Sequence, residues 1–179
     1  MIRLLKILLL VFALVLSGGA WSGAAWAKAQ IHFQSFNGSV LWGRYPHTFV
    51  VIDGTLDSGK RVNENYGFSA KVANAAALRG PVEQIIQIEK PEWIPKTNRH
   101  FSVTITDAQY ARIHATVDTW RDSPSYLYDL KTRNCIHFVG TLAQIVGLKV
   151  DYPSNMLRRP KKWLNHIAAI NPQLGAKPI

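Results

Sequence analysis

The stretch Asn134-Cys-Ile-His-Phe-Val139 begins the helix that is most clearly marked in the sequence. Asn134 suits the N-cap position, because its side-chain oxygen can accept hydrogen bonds from the first N–H groups of a helix. Gly147 suits the position just after a helix, where the backbone often takes a left-handed conformation. Apolar residues between these two recur at a spacing that buries one face. The sequence therefore predicts a helix that carries Cys135 in its first turn.

Cys135 is the only cysteine of the chain, so it forms no internal disulfide. The start of a helix carries partial positive charge, which favours a thiolate over a neutral thiol. Lys131 and Arg133 lie nearby in sequence and act in the same direction. A thiolate with backbone N–H groups to hold an oxyanion is the arrangement that thiol hydrolases need. Cys135 is therefore a candidate catalytic nucleophile, and the alternative is a small, buried and inert side chain.

His47 is the candidate base for this thiol. It begins the strongest strand pattern, His47-Thr-Phe-Val-Val-Ile-Asp53, which turn-forming residues bound on both sides. A histidine on a strand that faces a cysteine at the start of a helix is the geometry of Cys-His hydrolases. His137 lies two residues after Cys135, about 200° around the helix, and therefore points away. The local sequence singles out none of the other four histidines.

The rest of the chain contains strands first and capped helices later. Further strands are predicted around residues 31–35, 60–68, 82–89 and 101–105. Thr106-Asp-Ala-Gln109 is a capping-box sequence and predicts a helix that ends near residue 122. A last short helix is predicted over residues 160–169. This order indicates an α+β fold, with an antiparallel sheet packed on helices, in a single domain over residues 28–179.

The stretch around Cys135 resembles a known family. Asn134-Cys-Ile-His-Phe-Val139 is similar to the Asn-Cys-Glu-His-Phe signature of lecithin:retinol acyltransferase-type proteins. These proteins belong to the circularly permuted branch of the papain-like superfamily, which also includes NlpC-type cell-wall amidases. In that branch the histidine lies on an early strand and the cysteine begins a late helix, the positions that His47 and Cys135 occupy here. The resemblance covers roughly residues 40–150 and implies a permuted papain-like fold with a Cys-His pair.

The resemblance also implies a third catalytic residue, a carboxylate or an amide on the strand after the histidine strand. Glu64, Asn63 and Asn65 lie on that strand. Glu64 is preferred, because a carboxylate both orients the imidazole and stabilises imidazolium. Tyr128 is close to Cys135 in sequence and is a further candidate, as a group that assists at the oxyanion.

Two departures from the acyltransferase signature bear on the activity. Ile136 stands where that signature has glutamate, and Gly59 stands where it has its second histidine. The missing histidine argues against a strict retinoid or phospholipid acyltransferase. We therefore expect a thiol hydrolase that cleaves amide bonds, with cell-wall peptides as candidate substrates. The alternatives are a thiol acyltransferase or lipase acting on lipid esters, and a basic, non-enzymatic module that binds the cell envelope.

Residues 1–27 have the layout of a secretory signal peptide. Arg3 and Lys6 precede an apolar run from Ile7 to Leu16, and Ala25-Trp-Ala27 matches a cleavage site with small residues. The apolar run is shorter than the roughly 20 residues of a comfortable membrane span. We expect cleavage before Lys28 and a periplasmic or secreted protein, with an uncleaved anchor as the alternative.

The chain is basic, with a formal net charge of +10. An exported basic protein favours anionic partners, here a cell-envelope polymer or acidic lipid in addition to the peptide or acyl substrate, and peripheral membrane contact is compatible with this charge. Nucleic acid is not expected as a partner outside the cytoplasm. Arg158-Arg-Pro-Lys-Lys162, followed by Trp163, is the densest basic cluster. It predicts contact with an anionic polymer or membrane surface, and the alternative is an ordinary solvated helix start.

Two stretches resemble cofactor-binding or metal-binding loops, but each lacks a residue that the loop requires. Gly54-Thr-Leu-Asp-Ser-Gly-Lys60 follows a strand as a phosphate-binding loop does, but Arg61 stands where Mg²⁺ binding needs Ser or Thr. The same stretch, from Asp53 to Glu64, mimics a calcium loop but has Ser58 where that loop needs glycine. The chain has no His-Glu-x-x-His, paired Cys-x-x-Cys or Gly-x-Ser-x-Gly motif. We therefore expect neither a cofactor nor a metal.

Overall fold

The computed structural model describes residues 28–38, 45–72, 74–123 and 127–179. The predicted signal segment, residues 1–27, lies outside the described residues and stays a prediction. The predicted end of the first helix, near Asp122, is inside them and is confirmed.

The described residues form one five-stranded sheet in which every neighbouring pair is antiparallel. The strands are β1 (Gln30–Phe36), β2 (His47–Thr55), β3 (Arg61–Ala70), β4 (Gln84–Gln87) and β5 (Asn98–Thr104). Their order across the sheet is β4-β3-β2-β1-β5, so the first strand lies inside the sheet and the last strand lies at its edge. Strands β2 and β3 form a hairpin, joined by a tight turn at residues 56–60.

Three α-helices follow the sheet in the described part of the chain: α1 (Asp107–Asp122), α2 (Cys135–Ile145) and α3 (Pro160–Ile170). Thr106 caps α1 and Asn134 caps α2, each in a reciprocal capping box with the residue three positions on. Gly147 follows α2 with a φ of 84°, which suits a residue without a side chain. Strands first and capped helices later confirm the predicted α+β class. No helix within the described ranges combines the length and apolar character needed to cross a bilayer.

The core lies between one face of the sheet and the helices. Helix α2 packs on β2 and β3, and Phe138 of α2 stacks with Phe68 of β3 at 6.0 Å between ring centroids. Helix α3 packs on β1 and β5, where Trp163 is fully buried. These contacts hold the start of α2, and with it Cys135, against the sheet. Burial of such large apolar side chains is the main source of stability in a domain without disulfides.

A connecting segment crosses the other face of the sheet. Strands β4 and β5 lie at opposite edges, so residues 88–97 must pass over β3, β2 and β1 to join them. Asn65 of β3 anchors the start of this segment, because its side chain accepts from the Glu89 N–H and donates to the Glu89 carbonyl. Thr97 anchors the end by donating its hydroxyl to the Gln34 side chain of β1. The buried Asn65 amide and the side-chain oxygen of Gln34 therefore have hydrogen-bond partners on this face.

The loop that mimics a phosphate site has a structural role. The N–H groups of Asp57 and Ser58, which would face a phosphate, donate to the carboxylate of Asp107 at 2.8 and 3.0 Å. Asp107 is the first residue of α1, so the contact ties the β2–β3 turn to that helix.

Candidate active site

Cys135 is held at the start of α2 by a buried asparagine. Asn134 accepts hydrogen bonds from the N–H groups of Ile136 and His137 at 2.8 and 3.3 Å. Its amide nitrogen donates to the carbonyls of Leu130 and Leu157 at 2.8 and 2.9 Å. One side chain therefore fixes the helix start to two separate segments of the chain, and all its hydrogen-bonding groups are used.

The thiol lies where two strands stop pairing. Strands β2 and β3 pair as far as Phe49 and Gly67. Beyond that point β2 continues along β1 to His47, and β3 continues along β4 to Ala70. The Thr48 N–H, which lies in this unpaired part of β2, interacts with the sulfur of Cys135. The nucleophile predicted from the sequence is therefore in contact with the peptide group next to His47.

The His47 ring lies across the end of this strand pair. A methyl group built on Gly67 would lie 2.5 Å from Nε2 of His47, so the imidazole passes directly over the Gly67 backbone. With Nε2 above β3, Nδ1 is the ring nitrogen nearer to the main chain of His47. That main chain leads to the Thr48 N–H that contacts the sulfur. The absence of a side chain at position 67 is what leaves room for the ring.

Cys135 and His47 line the same cavity, which has a volume of about 290 Å³. Most of its wall is apolar. The apolar lining residues include Phe36, Ala70, Ala77, Leu78, Leu130 and Leu157. Polar residues such as Ser69, Asn74, Gln87 and Arg158 also line it. A largely apolar wall with polar groups at particular points suits a site that holds an organic group and places reactive atoms against it.

Burial decides the resting charge of Cys135. The residue is 4 % exposed, and this desolvation raises the pKa of its thiol to about 11. Backbone N–H groups of Thr48, Ile136 and Cys135 itself lower the pKa, but by less. This direction is opposite to the sequence-based expectation, in which the helix start, Lys131 and Arg133 favour a thiolate. Removal of the sulfur from water outweighs the partial charge of the helix terminus.

Tyr128 lines the same cavity, as its closeness in sequence suggested. Burial raises the pKa of its phenol, and negative charge on Cys135 raises it further. The hydroxyl therefore stays protonated at ordinary pH and can donate a hydrogen bond. Asn134 changes the expected set of oxyanion donors, because its side-chain oxygen already accepts hydrogen bonds from the N–H groups of Ile136 and His137. The Cys135 N–H and the Tyr128 hydroxyl are two further candidate donors at this end of the cavity.

The structure does not bring Glu64 to His47. In the β2–β3 ladder Glu64 pairs with Ile52, five residues along β2 from His47, or roughly 17 Å at the rise of an extended strand. Its carboxylate accepts from the Tyr66 hydroxyl at 2.9 Å and lies 2.7 Å from Nε2 of His114. Glu64 therefore belongs to a second cluster, between β3 and α1.

The other two candidates for the third residue lie elsewhere as well. Asn63 is exposed and pairs in the ladder with Asp53, and the amide of Asn65 is used by the main chain of Glu89. The sequence reasoning missed Gln87 of β4, which pairs with Gly67 and lines the cavity. Directly paired residues project to the same face of an antiparallel sheet. Gln87 is therefore on the side of the sheet where the His47 ring lies over Gly67.

The remaining histidines have partners away from the cavity. Nδ1 of His137 accepts from the N–H of Asn134, and its ring stacks on Tyr152 at 4.9 Å. The others pair as His32 with Ser102 and Asp53, His100 with Ser35 and Asn165, His114 with Glu64, and His166 with Asp151. Among the six histidines His47 is the one that lines the cavity of Cys135. Within the described ranges no three His, Cys, Asp or Glu side chains are grouped as metal ligands.

Comparison of the chain with protein-family models, with curated proteins and with solved structures finds no match. The geometry of the cavity is therefore the basis for the proposed function.

Proposed function

We propose that this protein is a cysteine hydrolase that cleaves amide bonds, with Cys135 as nucleophile and His47 as base, in a permuted papain-like arrangement. The observation that carries the proposal is the meeting of the only cysteine and one strand-borne histidine in a single cavity, where β2 and β3 stop pairing. The order of the two residues along the chain, histidine first and cysteine late, agrees with the permuted branch.

Cys135 starts as a neutral thiol in this mechanism, because burial raises its pKa to about 11. The sulfur attacks the carbonyl carbon while His47 takes the thiol proton. The oxygen of the tetrahedral intermediate accepts hydrogen bonds from the Cys135 N–H and the Tyr128 hydroxyl. Its collapse breaks the C–N bond, and the imidazolium gives its proton to the leaving amine.

The acyl group then remains on the sulfur as a thioester, and water completes the reaction. His47 takes a proton from the water as its oxygen attacks the thioester carbon. The C–S bond breaks, the proton returns to the sulfur, and a carboxylic acid is released. Gln87 replaces Glu64 as the residue proposed to orient His47, because it lies on the face of the sheet where the ring passes over Gly67 and it lines the same cavity. Its amide nitrogen donates to the Glu89 carboxylate at 2.5 Å, so the amide oxygen is the group proposed to face the imidazole.

The apolar wall of the cavity favours a second candidate, an acyltransferase or lipase acting on lipid esters. The first half of the mechanism is the same, with a C–O bond in place of C–N, and an alcohol or amine in place of water in the second half. The third candidate, a non-enzymatic module, is favoured by the burial of the thiol. In that case Cys135 is a core side chain without a chemical role.

Alkylation of Cys135 tests the proposal, since the chain has no other thiol. We expect iodoacetamide to label the native protein near neutral pH, and His47→Ala to lower the rate by about tenfold or more, because a nearby imidazolium stabilises the thiolate. His114→Ala is the matched control, since it removes a histidine that is paired with Glu64. Equal rates in the wild type and in His47→Ala would show that the two residues are not a catalytic pair.

Turnover gives the second readout. Cys135→Ser should abolish cleavage of an amide or ester substrate while the protein stays folded, because it exchanges one atom at a cavity wall. A Cys135→Ser variant with wild-type turnover would reject covalent catalysis by this residue. Cleavage of an amide and of an oxyester with the same acyl group separates the first candidate from the second.

The proposed setting is outside the cytoplasm. Export follows from the order of basic residues, apolar run and Ala25-Trp-Ala27 at the start of the chain. N-terminal sequencing of the native protein should find Lys28 first. A mature chain that begins near Met1 would reject cleavage.

A further inference from the structure

A basic groove lies at the start of α3. Arg158, Arg159, Lys161 and Lys162 line it together with Asn165, and its volume is about 390 Å³. Arg158, Arg159 and Lys162 are exposed, whereas Lys161 is half-buried. This is the basic cluster that the sequence shows, and in the fold its charges face one concave surface.

The basic groove adjoins the cavity of Cys135. Phe36, Pro46, Arg158 and Pro160 line both. Arg158 stands at the junction, and its positive charge lowers the pKa of Tyr128 against the effect of burial. The field of the groove therefore extends to a side chain beside the reactive sulfur.

Among the described residues no carboxylate neutralises the charge of the groove. Elsewhere basic side chains pair with carboxylates, as Lys71 does with Glu83 and Arg121 with Asp118. None of the four cations in the groove has a carboxylate within ion-pair distance among residues 28–38, 45–72, 74–123 and 127–179. Concentrated charge of one sign in a concave surface raises the local concentration of ligands of opposite sign.

We propose that this groove binds an anionic group, a phosphate or a carboxylate, of the same molecule whose acyl group lies in the cavity of Cys135. This inference rests on the proposed function and defines its substrate class. The substrate carries an apolar acyl part and an acid group a short distance from the bond that is cleaved. Arg158, at the junction of the two spaces, contacts the acid group and sets the position of the carbonyl relative to the sulfur.

Two alkylating agents of nearly equal size test the inference. Iodoacetate carries a carboxylate, whereas iodoacetamide is neutral, and both transfer their carbon to the same sulfur. The ratio of their rate constants removes any change in the thiol itself, because a shifted pKa affects both reagents alike. At low salt the triple variant Arg158→Gln, Arg159→Gln and Lys162→Gln should lower the iodoacetate-to-iodoacetamide ratio by about fivefold.

The control variant removes the same charge from other surfaces. Lys90→Gln, Arg112→Gln and Lys149→Gln neutralise three exposed residues that line neither the groove nor the cavity. This control should leave the iodoacetate-to-iodoacetamide ratio unchanged. A variant with Arg158→Lys and Arg159→Lys, which preserves the charge, should have a ratio close to that of the wild type. An equal fall in the groove variant and in the control would overturn the inference, because overall charge would explain it.

Competing anions identify the acid group. Inorganic phosphate and acetate are added to the wild type at equal ionic strength during the reaction with iodoacetate. Stronger protection by phosphate supports a phosphate-bearing substrate, and equal protection supports a carboxylate. Protection by neither would overturn the inference. Failure of the proposed function is recognised separately, because it is decided by the rate with neutral iodoacetamide in the wild type and in His47→Ala and not by the ratio of the two reagents in the groove variant.

Discussion

Two histidines contact strand β3, one among paired polar side chains and the other at the edge of a cavity. His114 lies beside Glu64, which also accepts a hydrogen bond from Tyr66, and the ring of Tyr110 packs 4.5 Å away. His47 lies over a glycine at the other end of the β2–β3 ladder, beside a buried thiol and an open cavity. The first cluster contains a carboxylate–histidine pair, Glu64 and His114, of the kind found in many catalytic sites. The second has the nucleophile and the space for a substrate.

The comparison shows that a carboxylate next to a histidine is not by itself a sign of catalysis. In the Glu64–His114 cluster both oxygens of the carboxylate have partners within the protein, and neither residue lines the cavity of Cys135. In the cavity of Cys135 a neutral thiol is held out of water at an elevated pKa of about 11. Such a group becomes reactive only when a base takes its proton. Changes at Gly67, His47, Asn134 and Glu64 should therefore have effects of different size on the thiol and on stability.

Gly67→Ala should have the largest effect. The new methyl group would lie 2.5 Å from Nε2 of His47 and 3.3 Å from Cβ of Phe49, so the ring must move. A displacement of about 1 Å at a catalytic group can cost about 100-fold in rate, and we expect a loss of that order in turnover. Gly80→Ala is the control, because a methyl group there meets nothing within 4 Å. Wild-type turnover in Gly67→Ala would separate His47 from the reaction.

The pH dependence of alkylation should show how strongly burial controls the thiol. Burial raises the pKa of Cys135 to about 11 against the opposing effect of backbone N–H groups, and His47→Ala leaves these causes in place. The reactive form is the thiolate, so the rate should rise about tenfold per pH unit and still be rising at pH 10. The wild type, with its base, should be less steep over the same range. A plateau near pH 9 in the variant would contradict the dominance of burial.

Asn134→Ala should destabilise the protein more than removal of the other helix cap. Asn134 is fully buried and makes four hydrogen bonds to the backbone, so its loss leaves buried groups without partners at a cost of about 2–4 kcal/mol. Thr106→Ala removes an exposed cap and should cost about 1 kcal/mol. Chemical denaturation measures both. Equal losses would mean that Asn134 acts only as a helix cap.

Glu64→Gln should have the smallest effect on the thiol. It removes one charge from the cluster with His114 and keeps an oxygen for the Tyr66 hydroxyl. We expect a loss of stability of about 1 kcal/mol and a change below about twofold in the alkylation rate of Cys135, because distant sites act independently. A fall in that rate as large as the one in His47→Ala would restore Glu64 as the third residue of the site.

The local features of this protein could be predicted from its sequence. Asn134 marks the start of α2 and Gly147 follows its end, and both could be predicted because a helix cap depends on one side chain or one backbone angle. The alternation of residues 101–105 predicts β5, and the capping box at Thr106 predicts the start of α1. Each of these features is decided within a few residues, which is the range that a sequence pattern describes.

The parts that could not be predicted depend on contacts between distant residues. Glu64 follows the histidine strand at a suitable distance in sequence, but the register places it opposite Ile52 and away from His47. Gln87 gave no signal, because its place opposite Gly67 is defined only by the β3–β4 ladder. The direction of the Cys135 pKa was missed for the same reason, since burial comes from segments far away in sequence.

The segment that crosses the sheet also has a consequence for how the chain folds. Strand β1 can pair with β2 as soon as both are synthesised, but its other edge waits for β5, the last strand of the sheet along the chain. Ser35 and His100, which bond across that edge, are 65 residues apart in sequence. Until β5 emerges, the nascent chain carries an open strand edge that can pair with other chains. Such long-range pairing also slows folding, so this open edge should need protection from other chains for longer than any edge in a helical domain of the same size.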